Sequence, residues 1–118
     1  MEELGMSMNL YAFSMRGMMP EEWWGELVQR VTIAIGMSPV TKPSIWRYPS
    51  DDGKGGLGIT IFQPITESFI ALDLWPDHGG AYMMIASCRA FNPDEVNEVI
   101  VKEGLEIHEG AAHSLRIR

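Results

Sequence analysis

The chain has 118 residues, 16 acidic against 9 basic for a formal net charge of −7, with 46% hydrophobic residues and a single cysteine, Cys88. That length holds one domain with a real core and is too short for two ordinary ones, and the apolar content excludes a disordered chain. One thiol excludes an intramolecular disulfide framework, and an acidic chain without a cluster of Lys or Arg excludes a phosphate-tracking nucleic-acid surface. Glu2 and Glu3 stand where a leader would carry positive charge, and no run of about eighteen apolar residues follows. The expectation is a single cytoplasmic domain over residues 1–118 without a membrane segment.

The first strand is predicted over Met6–Phe13, where Leu10, Tyr11 and Phe13 alternate loosely. Pro20, Glu21 and Glu22 then open a helix at its positive end, Trp23, Leu27, Arg30 and Val31 recur at helical spacing with Trp24 and Val28 beside them, and Gly36 stops it. A second strand covers Ser44–Tyr48. The glycine-rich stretch Asp51–Gly58 contains Gly53, Gly55 and Gly58 in a dinucleotide-like spacing, but the strand sequence Ile59-Thr60-Ile61-Phe62 follows it where that motif requires a helix. A hairpin loop is expected instead. Further strands are predicted over Leu57–Gln63, Ser68–Trp75 and Ala81–Ser87, with a bend at Pro64–Glu67 and a turn at Pro76–Gly80. Asn92 caps a second helix carrying Val96, Val99 and Ile100, Gly104 ends it, and the tail through Ile107, Leu115 and Ile117 supplies an edge strand. Two helices and about six strands imply an α+β two-layer sandwich, with both helices on one face of a mostly antiparallel sheet.

One spacing concentrates the chemistry. Glu67-Ser68 opens a strand, Trp75-Pro76-Asp77 follows seven residues after the serine, and Cys88 follows twenty after it. The stretch ESFIALDLWPDHGGAYMMIASC resembles the core of the short, bacterial and archaeal form of S-adenosylmethionine decarboxylase. Gly5 and Tyr11 in the first strand, and Trp46-Arg47-Tyr48-Pro49 before the glycine loop, extend the likeness over most of the chain.

The resemblance implies a cofactor made from the chain itself. The Ser68 hydroxyl attacks the Glu67 carbonyl, and elimination at Ser68 then cuts the chain into residues 1–67 and 68–118, leaving a pyruvoyl group on residue 68. That group accepts the electrons released when carbon dioxide leaves the substrate. Cys88 matches the family's proton donor, and Trp75, Pro76 and Asp77 match its substrate-contact segment, with Asp77 replacing a Glu that binds ribose. Tyr48 takes the place of the aromatic that stacks on adenine. Asp73 stands where the family carries a processing histidine, Phe69 where another histidine is frequent, and Thr60 where a second processing hydroxyl, usually Ser, is found.

The implied activity is decarboxylation of S-adenosylmethionine for polyamine (spermidine) synthesis by a cytoplasmic homodimer with active sites near the subunit boundary. Two alternatives stay open: a related pyruvoyl-dependent decarboxylase of arginine or ornithine, or an uncleaved, non-catalytic homologue acting as a partner subunit. The histidines, His78 in a turn and His108 and His113 five apart around Gly110-Ala111-Ala112, form no metal pattern. The nine methionines read as adaptable core filler. Trp23-Trp24 reads as a helix-to-sheet anchor.

Overall fold

Alternation of apolar and polar residues produces six strands, and two amphipathic stretches produce helices. The computed structural model describes residues 6–49 and 56–117. Its elements are β1 (Met6–Arg16), α1 (Glu21–Ala34), β2 (Ser44–Pro49), β3 (Leu57–Ile65), β4 (Ser68–Trp75), β5 (Gly80–Ser87), α2 (Pro93–Lys102) and β6 (Glu106–Ile117). The strands form one sheet in the order β2-β3-β4-β5-β1-β6, and neighbours run antiparallel throughout. The expected α+β sandwich is therefore the fold observed.

Strand parity decides what is buried. Ile59, Ile61 and Ile65 of β3, Ile70, Leu72 and Leu74 of β4, Ala81, Met83 and Ile85 of β5, and Tyr11, Phe13 and Met15 of β1 share one face. Against that face lie Trp24, Leu27, Val28 and Val31 of α1 and Val96 and Ile100 of α2. Each large side chain buried there contributes about 1.5–3 kcal/mol. The stripe of α1 is rotated from the expected one: Trp23 is only partly buried, whereas Trp24 is the anchor. Arg30 lies outside, and its guanidinium donates to Glu103 at 2.6 Å, tying α1 to the end of α2.

The helix ends follow their local chemistry. Asn92 accepts from the Asp94 amide at 2.9 Å as the cap of α2. Gly36 and Gly104, with φ of 75° and 89°, turn the chain out of the two helices in the left-handed region that suits glycine.

Several boundaries differ from expectation. Pro64 lies inside β3, paired with Phe69, and the bend narrows to Thr66 and Glu67. β2 starts opposite Phe62, and beyond it only the short Ser38–Val40 segment borders β3. Pro39 bridges Ile65 and the Val40 N–H donates to the Pro64 carbonyl at 3.0 Å, so the proline keeps its acceptor bond at this edge and lacks only the return donor. Gly110-Ala111-Ala112 is no turn but the middle of β6, paired with Phe13, Ala12 and Tyr11. A Cβ on Gly110 would come within 3.0 Å of the Tyr11 hydroxyl, so glycine permits that approach. The glycine stretch reaches the described residues only at Gly56 and Gly58; the predicted loop positions Asp51–Gly55, with Gly53 and Gly55, lie outside them. The methionines also divide: Met15, Met37 and Met83 are buried, but Met18 and Met84 are exposed.

Among the described residues no helix lies on the sheet's other face. Tyr82 and Met84 of β5 are 57% and 45% exposed there, Phe62 and Phe69 stack beside them at 5.4 Å, and Leu115 is exposed on β6. No helix among the described residues is long and apolar enough to cross a membrane.

On the buried face, the Tyr11 hydroxyl donates to Asn97 Oδ1 at 2.6 Å, joining β1 to α2. Burial raises the phenol's pKa above its ordinary 10.0, the Asn97 bond opposes this, and the Asp94 carboxylate adds to it. A phenol that holds its proton more tightly when folded stabilises the fold fully below pH 10.0 and progressively less as pH rises through its folded value. Tyr11→Phe should cost about 1 kcal/mol in urea unfolding at pH 7 and should flatten the decline in stability seen in the parent protein on the alkaline side.

Candidate active site

The residues singled out in the sequence fall into two groups at different places on the sheet. The first surrounds the two-residue turn between β3 and β4. Thr66 is fixed from both its backbone and its side chain, whose N–H and Oγ1 donate to the Ser38 carbonyl at 2.9 and 3.1 Å. The next residue, Glu67, has φ of 70°, and among the described residues it is the non-glycine residue in the left-handed region. That conformation costs roughly 1–2 kcal/mol for a residue with a Cβ, and it falls on the residue whose carbonyl precedes Ser68.

That carbonyl is engaged from across the sheet. Cys88 donates its backbone N–H to the Glu67 oxygen at 3.3 Å. The donor is aimed because Ser68 pairs with Ser87 in the β4–β5 register, leaving Cys88 opposite the turn. Ser87 Oγ accepts from the Arg89 amide at 3.0 Å and so shapes the backbone around Cys88. Ser68 and Cys88 are both half-buried. The Ser68 hydroxyl lies 3.8 Å from the sulfur of Met8, a neighbour the sequence alone did not indicate.

The second group lies on the open face. Thr60 and Asp73 are cross-strand partners of β3 and β4, and the Thr60 hydroxyl donates to Asp73 Oδ1 at 2.6 Å. Tyr48 reaches over from β2, its hydroxyl 2.8 Å from Thr60 Oγ1. Its ring lies over Gly58, where a Cβ would approach Tyr48 Cε2 to 2.5 Å. Trp75, on the parity of Asp73, meets Tyr82 edge to face at 5.3 Å.

A cavity of about 750 Å³ opens beside these aromatics, lined by Tyr48, Trp75, Tyr82, Arg16, His78 and His108 among others. A second, of about 510 Å³, adjoins Asp73, Tyr82, Met84 and Glu109. His108 reaches the first cavity through a β-bulge: Ser14 pairs with Glu109 and Met15 with Ile107, so His108 is the extra residue. Nothing in the composition announced that bulge, and Tyr82 was readable only as an outward aromatic on an alternating strand.

Pro76, Asp77 and His78 form one turn of 3₁₀ helix. Asp77 does not line either cavity; its Oδ2 accepts from the Leu57 amide at 3.0 Å and pins the start of β3. Ser68 stands five residues from Asp73 and seven from Trp75 along one extended strand, separations of roughly 17 and 23 Å. Within one chain, then, Glu67, Ser68 and Cys88 come together, and Tyr48, Thr60, Asp73 and Trp75 come together, but the two groups do not meet. Among the described residues no three His, Cys, Asp or Glu side chains gather as around a metal ion.

A search of curated proteins finds no significant match. Among solved structures, the chain is similar to the crystal structure of the adenosylmethionine decarboxylase from Aquifex aeolicus VF5, with a TM-score of 0.57 and 17% identity over 92% of this chain and 88% of that one. At that identity the likeness concerns the fold. The sequence itself goes further, since the profile of S-adenosylmethionine decarboxylase matches residues 6–116, from β1 into β6. The match takes in the strained Glu67-Ser68 turn, the Thr60–Asp73 pair and Cys88, and the chain belongs to the S-adenosylmethionine decarboxylase family.

Proposed function

We propose that this chain cuts itself between Glu67 and Ser68 and then decarboxylates S-adenosylmethionine, the step that feeds polyamine synthesis. The observation that carries this reading is the Cys88 N–H on the Glu67 carbonyl, at a residue already held with positive φ. A donor on that oxygen polarises the carbonyl and stabilises the negative charge that develops when a nucleophile adds to it. The hydroxyl of the next residue is the nearest nucleophile by chain connectivity, so its attack is intramolecular.

The balance is closed. Ser68 Oγ bonds to the Glu67 carbonyl carbon, the peptide C–N bond breaks, and the hydroxyl proton passes to the freed amine, leaving an ester. A carboxylate base then takes the α-proton of residue 68, its electron pair becomes a Cα=Cβ bond, and the Glu67 carboxylate leaves. Water hydrolyses the resulting enamine, through its imine tautomer, to the ketone and ammonia. A pyruvoyl group so formed supplies an electron sink for the pair left behind by carbon dioxide. Cys88 holds a proton at Sγ beside residue 68 for return to the product carbon.

Asp73 is the carboxylate suited to the α-proton, but its own Ser68 is roughly 17 Å away along β4. The two groups are complementary halves, and a second copy of the chain supplies the missing one. The open face, with Tyr82 and Met84 exposed, is the apolar surface across which two copies pair, and we assign the homodimer to it. Trp75 and Tyr82 beside the larger cavity suit a sulfonium, which aromatic faces attract, and the volume is that of an ordinary small-molecule site.

Intact-mass measurement of purified protein should show two pieces, residues 1–67 and 68–118, the second lacking a free amino terminus. A single uncut chain would overturn the decarboxylase reading in favour of an unprocessed partner subunit. Carbon dioxide release should be seen from S-adenosylmethionine and not from arginine or ornithine. Cys88→Ala should retain cleavage yet lose turnover by about 100-fold. Ser68→Ala and Asp73→Ala chains should each stay uncut alone. Co-expressed, only the Asp73→Ala chains should be cut, since they keep Ser68 and borrow Asp73; failure to complement would place both roles in one chain.

A further inference from the structure

Tyr48, Thr60 and Asp73 form a hydrogen-bonded line whose proton direction is dictated by valence. A carboxylate offers only acceptors, so the bond of 2.6 Å between Thr60 Oγ1 and Asp73 Oδ1 uses the threonine's one hydrogen. The contact of 2.8 Å between Tyr48 and Thr60 can then be made only with the tyrosine as donor. Every proton therefore points from β2 through β3 to β4, and each bond polarises the next. Gly58 leaves room for the Tyr48 ring, and Tyr48 itself, 38% exposed, remains at the edge of the open face.

We propose that Tyr48 is a positioning residue for self-cleavage: its hydroxyl holds Thr60 in the rotamer that ties down Asp73 Oδ1, leaving Oδ2 to take the α-proton of residue 68. This rests on the decarboxylase reading above and assigns Tyr48 a role other than stacking on substrate. It also accounts for the carboxylate at position 73. An imidazole there could itself donate to the threonine oxygen, and no tyrosine proton would be required; a carboxylate cannot, and the tyrosine supplies the donor the line lacks.

The test separates the hydroxyl from the ring. Cleavage of newly made chains is followed by intact mass in the parent protein, Tyr48→Phe, Asp73→His and the double variant, with urea unfolding as the control for folding. Tyr48→Phe should slow cleavage by about tenfold and leave KM for substrate unchanged once chains are cut. In the Asp73→His background the same substitution should change the cleavage rate less than twofold. Gly58→Ala, which pushes the ring aside with its hydroxyl intact, should reproduce the slow cleavage. Parental cleavage by Tyr48→Phe, or equal slowing in both backgrounds, would overturn the assignment and leave the decarboxylase reading standing. No cleavage in the parent protein would overturn both. A raised KM with normal cleavage would return Tyr48 to substrate stacking.

Discussion

The register of β4 is the constraint on which the rest depends. It is set by a turn of two residues, Thr66 and Glu67, which is pinned to the Ser38 carbonyl and cannot lengthen without losing those bonds. With that turn in place Thr60 falls opposite Asp73 on one side, and Ser68 falls opposite Ser87 on the other. A slip of one residue would turn Ile70, Leu72 and Leu74 out of the core and Asp73 into it. The burial of three large apolar side chains thus enforces the register that aims the Cys88 amide at the Glu67 carbonyl. The same burial offsets the cost of holding Glu67 in the left-handed region.

The second organising feature is that, among the described residues, helices cover one face of the sheet. Both lie over the core parity of β1, β3, β4 and β5, so the opposite parity is left as a surface of aromatic, methionine and small side chains interrupted by Thr60 and Asp73. A sheet packed on one side is ordinary for an α+β domain. A polar pair joined by a bond of 2.6 Å amid that surface is not explained by stability alone, because an apolar pair would serve the sheet as well. The polar line from Tyr48 to Asp73, the Trp75–Tyr82 contact and the bulge at His108 all gather around one pair of adjoining cavities.

Local chemistry made much of this legible beforehand. Asn92 reads as a cap because its side chain can satisfy an orphan amide, and Gly36 and Gly104 read as stops because they accept positive φ. Strand parity along β4 placed Asp73 with Phe69 and Trp75. Proline misled at position 64, where a tertiary fact decides: beyond the start of β2 only the short Ser38–Val40 segment borders the strand, and it uses the Pro64 carbonyl as an acceptor. Glycine misled at position 110, where the reason for glycine is the Tyr11 ring on another strand and not a turn. Tyr48 was readable as an aromatic before a loop, but its bond to Thr60 depends on how β2 docks against β3.

By itself the sequence determined the kinds of element, the apolar alternation of the central strands and the motif that identifies the family, because these depend on neighbours within a few residues. Only the tertiary structure decided the contacts of Cys88 with Glu67, of Met8 with Ser68 and of Tyr48 with Thr60. Those are cross-strand relations, and alternation with a period of two says which face a side chain takes but not which residue stands opposite it. That choice is made by turn length and by the collective fit of the core.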